Sequence, residues 1–302
     1  MADLPGVGNR RDIMFLQTQR LPWEAHAVRG PGASRRRLSQ NAATGAESFV
    51  LRLEPGYRAE AGFLGCDFEF FVVEGAVAIN GIAYPPHSYG MHPAGYAHRA
   101  MTSAAGAVLV VITAGGPDRV DRGPARLAFR RDRLVVKTDT ATLPWYDGVQ
   151  PPVQASKPHP RDIPLADRRA PEPGVFTKVV WEDPDTKGHT FLRSDLPRLS
   201  RAPQTTRTHV VDAEYFLFEG DYIIAGEGRM VAGAYFFWAA NVMHGPSACE
   251  YLSYMMGKYY GPVDLVFTKD VVPVTLDPVH APPLPPDLRA YGAALPPPDP
   301  WS

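Results

Sequence analysis

The chain has 302 residues, 45% of them hydrophobic and 21% charged, with 31 Lys and Arg set against 32 Asp and Glu. That balance excludes a global pull towards nucleic acid or anionic membrane, and the length suggests about two domains. The 27 Gly and 32 Pro argue for turn-rich β structure, and two cysteines, Cys66 and Cys249, exclude a disulfide scaffold or a C-x-x-C site.

Residues 1–44 show little alternation and read as an N-terminal arm. Met1 to Pro5 lacks a basic patch followed by an apolar run, so no signal peptide is expected and a cytoplasmic address is the default. Arg35-Arg36-Arg37, and later Arg130-Arg131-Asp132-Arg133, read as solvated loops. From residue 45 the pattern becomes that of short strands. Phe68 to Val73 is rich in aromatic and β-branched residues, and Ala76 to Ile79 leads into the tight-turn pair Asn80-Gly81. Ala107 to Thr113 is a continuous apolar strand candidate that closes on Gly115-Gly116. These features define a first β-domain over 45–140.

Residues 141–175 hold eight prolines, which lack the ladder donor that an interior strand needs, so the segment reads as a linker. A second β-domain follows over 176–270. Its strand candidates are Tyr215 to Phe218, Asp221 to Ala225 before Gly226-Glu227-Gly228, and Cys249 to Met256. The tail, 271–302, has ten prolines and is expected to be extended. No stretch approaches the ~18 apolar residues of a membrane span.

The two β-domains repeat one another. Glu69-Phe70-Phe71-Val72-Val73-Glu74-Gly75 matches Glu214-Tyr215-Phe216-Leu217-Phe218-Glu219-Gly220 at an offset of 145, and His98 matches His244 at 146. A shared Glu, Gly and His at nearly constant offset points to an internal duplication.

Chemistry concentrates in the second copy. His209 precedes Glu214 by five residues, and His244 follows Glu214 by thirty. Two imidazoles and a carboxylate with open positions suit Fe(II) and similar first-row ions. Period-two alternation, however, sets residues five apart on opposite faces, so the grouping requires an irregularity between Val210 and Ala213. Otherwise Glu214 is a strand carboxylate and the histidines are unrelated. Cys66 reads as an ordinary buried cysteine. No H-E-x-x-H, Walker loop, dinucleotide fingerprint or G-x-S-x-G elbow is present.

The pattern resembles the cupin superfamily, and in particular a double cupin. Pro93-Ala94-Gly95-Tyr96-Ala97-His98 is similar to the centre of the second cupin motif. His209, Glu214 and Gly220 are similar to the first, and His244 takes the histidine place of the second. Trp181 to Gly188, Ala232 to Tyr235 and His244-Gly245-Pro246 look like a group of ChrR-like cupins. The resemblance implies an all-β fold of two tandem cupin (jelly-roll) barrels. It implies one divalent first-row metal on His209, Glu214 and His244: Fe(II) first, with Mn, Ni, Cu or Zn as other choices.

Arg207 stands where the first ligand of the cupin H-x-H would fall, so the metal would have three protein ligands or borrow a fourth from a side chain such as Gln204 or His189. Facing inward, Arg207 would instead pair with a substrate carboxylate. Tyr235 is a candidate phenolic donor. In the first copy the H-x-H places fall at Gly62 and Leu64, so no tight metal is expected there. The expected activity is that of a metal-dependent enzyme on a small oxygen-chelating substrate, with oxygenative carbon–carbon cleavage by a dioxygenase as the first class. Non-redox isomerase, lyase or hydrolase chemistry and a non-enzymatic binding or sensing cupin are the alternatives. The expected partner is the small molecule, without nucleic acid or membrane, and homodimerisation is open to it.

Overall fold

The computed structural model describes residues 13–123, 128–147, 175–197, 204–225, 228–262 and 265–272. It is all-β apart from three short 3-10 turns among the described residues. No described helix is long and apolar enough to cross a membrane. The described residues divide into two compact units, the first lying within 21–142 and the second formed by 13–20 together with those from 143 to 272.

In the first unit a seven-stranded antiparallel sheet runs in the order Val135–Asp139, Ser88–His92, Asp67–Gly75, Ala107–Ala114, Glu47–Leu53, Ala33–Gln40 and Glu24–Ala25. Alternate residues of its central strands, Phe49, Leu51 and Leu53, Phe68, Phe70 and Val72, Leu109 and Val111, turn to one face. There they join Val77, Ile79 and Met101 from a four-stranded sheet in a single apolar core. Asn80 and Gly81 both adopt positive φ (53° and 83°), as the tight turn expected of that pair requires. Arg35, Arg36 and Arg37 lie within the strand Ala33–Gln40 rather than in a solvated loop. Arg36 is buried because its guanidinium lies 4.2 Å over the Trp23 ring and donates to the Leu21 carbonyl. Arg131–Arg133 forms a 3-10 turn in which Arg133 is buried and pairs with Asp67 at 2.8 Å.

The second unit has its own seven-stranded sheet, in the order Ile13–Gln17, Ala234–Trp238, Ala213–Glu219, Ser253–Tyr259, His189–Asp195, Val175–Glu182 and Tyr146–Asp147. The first of these strands comes from the expected N-terminal arm, whose residues 33–40 are a strand of the first unit. Tyr146–Asp147, in the proline-rich segment, is an edge strand. The remainder of that segment from 148 to 174, and the tail from 273, lie outside the described residues.

One expected strand moves. Cys249 to Met256 gives way to Ser253–Tyr259, because the Asp221 carboxylate accepts the backbone N–H groups of Glu250 and Tyr251 and holds that stretch in a turn.

Register shows that the units are built alike. Phe71 pairs with Val110, which pairs with Val50; in the second unit Phe216 pairs with Met256, which pairs with Leu192. The repeated Glu-Gly is structural. Gly75 and Gly220 hold φ of 65° and 74°, and a Cβ at either would collide with a backbone carbonyl oxygen, of Gly106 or of Leu252.

Candidate functional site

With equivalent positions fixed by register, the interiors of the two units differ in chemistry. Where the first unit has Leu51 and Leu53, the second has Arg193 and Asp195. Phe70 becomes Tyr215, and Val77 becomes Tyr222. Met101 becomes Ser247, and His92 becomes Trp238. The first unit buries a charged pair of its own, Arg29 with Asp118 against Phe68 and Met101; at the aligned positions it is the interior of the second unit that is the more polar. That interior encloses a cavity lined by Arg193, Arg207, Tyr215, Tyr222, Trp238 and His244, with Ser247 and Gly245. The free space is ≈ 10 Å³, room for about one water.

Most of the lining groups are already tied down, Tyr215 among them through the Tyr259 hydroxyl at 2.7 Å. Arg193 and Asp195 form a fully buried two-point pair, Nε to Oδ1 at 2.9 Å and Nη2 to Oδ2 at 3.0 Å. Ser247 Oγ accepts from the Tyr222 hydroxyl at 2.9 Å and from Arg207 Nη2 at 3.3 Å.

Arg207 and His244 are brought together by the backbone. They are opposed in an antiparallel bridge and exchange both hydrogen bonds, at 3.0 and 2.9 Å. Such partners carry their side chains on the same face, close together. The His209 ring lies 4.8 Å from that of His244, which in turn stacks on Trp238 at 4.7 Å. Both imidazoles have a fixed tautomer. His209 Nδ1 faces the Val211 carbonyl at 2.5 Å, and His244 Nδ1 faces that of Val242 at 3.1 Å. A carbonyl only accepts, so each Nδ1 carries the hydrogen and each Nε2 of the neutral ring presents a lone pair. Burial lowers both pKa values. That of His244 falls to about 3, with the nearby Arg207 charge and His209 adding to the effect. Buried without a hydrogen-bond partner are His209 Nε2 and Trp238 Nε1.

The expected three-ligand metal set is not assembled. Glu214 is fully buried on the other face of its strand, where Oε2 accepts from the Tyr235 hydroxyl at 2.8 Å and Oε1 from that of Tyr260. The bend at 210–212 does not reverse the alternation, so the cavity-facing place beside the imidazoles is held by Tyr215, not by a carboxylate. Among the described residues no three His, Cys, Asp or Glu converge as a metal site. The imidazoles present the nitrogen that ligation needs. The carboxylate does not fit, and Arg207 places a positive charge beside them.

Tyr235, expected as a phenolic donor, is likewise outside the cavity because its hydroxyl is bound to Glu214. His189 is buried against Tyr259 and Phe191 rather than on the cavity wall. Gln204 lies in the strand Gln204–His209, and its side chain is outside the described residues. Sequence reasoning, which named Tyr215 and Trp238 as aromatic walls of the pocket, missed Arg193, Tyr222 and Ser247. The signal that could have found them is the loss of apolar character at alternate positions of the second copy relative to the first.

In the first unit, Glu69 accepts from Tyr89 at 2.8 Å, the counterpart of Glu214 and Tyr235. His92 Nδ1 and His98 Nε2 lie 2.8 Å apart and share one hydrogen bond. Burial lowers the pKa of His92 to about 4 and that of His98 well below its ordinary value.

A sequence profile described as a domain of unknown function, DUF4437, matches residues 14–254. Three solved structures share the fold. A dioxygenase candidate from Nostoc punctiforme is 18% identical over 86% of this chain and 88% of its own, with a TM-score of 0.70. YlbA from E. coli is 12% identical over 82% and 90%, with a TM-score of 0.53. Oxalate decarboxylase from Bacillus subtilis is 12% identical over 84% and 79%, with a TM-score of 0.50. At these identities the likeness speaks for a cupin-related all-β fold. No protein of curated function matches the sequence.

Proposed function

The chain belongs to the DUF4437 family, and on that footing we propose that it is a double cupin whose second barrel handles a small carboxylate by non-redox acid–base chemistry. The observation that carries the reading is the exchange of Leu51, Leu53, Val77 and Met101 of the first unit for Arg193, Asp195, Tyr222 and Ser247 in the second, with Arg207 in the place of Gly62 beside a cavity. Burying these groups is unfavourable unless they serve one another or a ligand. Support for two tandem barrels comes from the matched register and the paired Glu–Tyr contacts.

Arg207 receives the carboxylate, because its guanidinium lines the cavity beside His244 and its planar fork matches carboxylate geometry. His244 Nε2 is the proton acceptor. In the ligand-free site burial, and after it the neighbouring guanidinium, hold its basicity down. A carboxylate on Arg207 offsets that charge and raises the basicity of Nε2, so base strength develops once substrate is in place. The proton taken from substrate goes to Nε2, and the buried imidazolium returns it to the product. The dioxygenase name of the Nostoc punctiforme relative is not carried over, because Glu214 is committed to Tyr235 and Tyr260.

Calorimetric titration of the full chain with small monocarboxylates tests this. Arg207→Ala is expected to weaken binding at least about tenfold, as expected for loss of a charge-assisted hydrogen bond, while His98→Ala in the first unit leaves it unchanged. Equal binding to wild type and Arg207→Ala would remove the site from the second unit.

A further inference from the structure

We propose that the chain consists of two arm-bearing halves, 1–123 and 124–302, that hold one another by reciprocal arm exchange, so that the docking partner of each half is the other half even when the peptide link between them is cut. The starting observation is a second repeat with its own spacing. Ile13–Gln17, the 3-10 turn Thr18–Arg20 and Glu24–Ala25 recur as Val135–Asp139, Thr140–Thr142 and Tyr146–Asp147, each at an offset of 122. Leu21-Pro22-Trp23 recurs as Leu143-Pro144-Trp145 at the same offset. Arg36 and Lys178 are related by 142 instead, because 27 residues separate Asp147 from Val175 where seven separate Ala25 from Ala33.

Both arms dock alike. The first strand of each joins the sheet carried by the opposite half. Leu16 and Gln17 pair with Tyr235 and Ala234, and Thr138 and Asp139 pair with the equivalent Tyr89 and Ser88. The turn then clamps the same sheet. Thr18 donates its N–H (3.1 Å) and its hydroxyl (2.6 Å) to the Gly233 carbonyl, and Thr140 donates both (3.2 and 2.8 Å) to that of His87. Gly233 and His87 hold φ of 85° and 66°. A histidine at positive φ is uncommon, yet His87 keeps the conformation of its glycine counterpart and presents its carbonyl to the arm.

After the clamp each arm returns to its own half. Glu24 and Ala25 pair with Arg35 and Ser34, and Tyr146 and Asp147 pair with the equivalent Thr177 and Phe176. A tryptophan fixes the return: the Arg36 guanidinium lies 4.2 Å over the Trp23 ring, and Nζ of its counterpart Lys178 lies 4.4 Å over that of Trp145. Each seven-stranded sheet therefore has one edge strand from its own half and the opposite edge strand from the other. An exchange made in both directions with the same contacts is the geometry of an isologous pair, here closed within one chain.

The test cleaves the full chain at a protease recognition sequence inserted after Gly123. The two pieces are expected to co-elute under native conditions as one species of the intact chain's mass. Partner exchange between cleaved protein and an isotope-labelled copy, in urea below the unfolding transition, is then followed by native mass spectrometry and reads how fast the halves part. Thr18→Val and Thr140→Val each remove a hydroxyl bond that joins one half to the other, and each should speed exchange about fivefold, the worth of a typical net hydrogen bond. The two bonds lie in different units and share no partner, so the double variant should reach about twenty-five-fold. Ser103→Ala removes the same kind of bond within the first half, from Ser103 Oγ to the Ala76 carbonyl at 2.7 Å, and should leave the rate unchanged. Halves that separate on cleavage, or threonine variants that exchange at the wild-type rate, overturn the proposal. Exchange speeded as much by Ser103→Ala as by Thr18→Val also overturns it, because the effect would then belong to the stability of each unit and not to the arms.

Discussion

Tyr235→Phe separates a structural Glu214 from a catalytic one. The phenol donates to a fully buried carboxylate at 2.8 Å, and Tyr260 donates to its other oxygen. Removing a hydrogen bond to a charged buried group costs about 1.5–3 kcal/mol. Because Tyr260 still serves Oε1, the loss stays below the ~3–5 kcal/mol of a charge stripped of its partner. For a cooperative unit of this size, ~2 kcal/mol lowers Tm by about 4–8 °C. Differential scanning calorimetry of the full chain reads that shift, and titration with acetate as a small monocarboxylate reads the cavity. The expected pair of results is a lowered transition with unchanged ligand affinity. Tyr89→Phe should give a shift of the same size in the first unit, since its bond to Glu69 is also 2.8 Å. An unshifted transition together with lost binding would place Glu214 and Tyr235 in the ligand site and refute the assignment of faces.

Arg193→Leu alone should destabilise the second unit by about 3–5 kcal/mol by leaving Asp195 buried and unpaired. Adding Asp195→Leu, which copies Leu51 and Leu53 of the first unit, should recover most of that in urea midpoints; an unrecovered double variant would deny the equivalence of the two interiors. Gly75→Ala and Gly220→Ala should each lower stability by more than about 1 kcal/mol, because positive φ and a facing carbonyl both oppose a Cβ, and unchanged melting would count against the repeat. Acid should destabilise the fold before carboxylates protonate. His92 and His189 are held neutral by burial, with pKa lowered to about 4 from 6.5. The unfolded chain therefore binds more protons below pH 6.5. The stability is complete above that value and is lost as pH falls towards 4, by about 2 kcal/mol per histidine at pH 5. Urea midpoints at pH 7 and 5 check this, and His189→Gln should flatten the slope.

The β class, the duplication and the strands around Phe68 to Val73 and Tyr215 to Phe218 were legible because aromatic and β-branched runs ending at Glu-Gly have few other foldings. The arm over 1–44 was misread. Ile13–Gln17 becomes a strand only by pairing with Ala234–Trp238, a contact more than 200 residues away in sequence that leaves no local mark. Cys249 to Met256 failed for a similar reason, since the Asp221 side chain that bends its start lies 29 residues away. At the site, His209, His244 and Arg207 were found by motif, and the Arg207–His244 bridge brings two of them side by side. Glu214 was legible as a buried carboxylate but not as to its face. The objection from alternation was sound, and the motif match overrode it. Facing residues such as Arg193 and Ser247 could not be seen until register aligned them with Leu51 and Met101.

The repeat also explains why the shared glutamate is the wrong place to look for chemistry. A residue kept in both copies must serve something that both copies need. Glu69 and Glu214 do so, each taking a tyrosine hydroxyl from the neighbouring strand at 2.8 Å. His98 and His244 hold the same backbone place, opposite Gly62 and Arg207. Yet His98 is bonded to a second histidine, while His244 stands beside a guanidinium and an indole. Function therefore follows the substitutions around a shared frame rather than the frame itself. Leu51, Leu53, Val77 and Met101 put hydrocarbon at the positions where the second unit has Arg193, Asp195, Tyr222 and Ser247. That exchange sacrifices apolar burial worth about 1.5–3 kcal/mol per large side chain, a loss the second unit sustains only because the groups placed there bind one another and, on the present reading, a ligand.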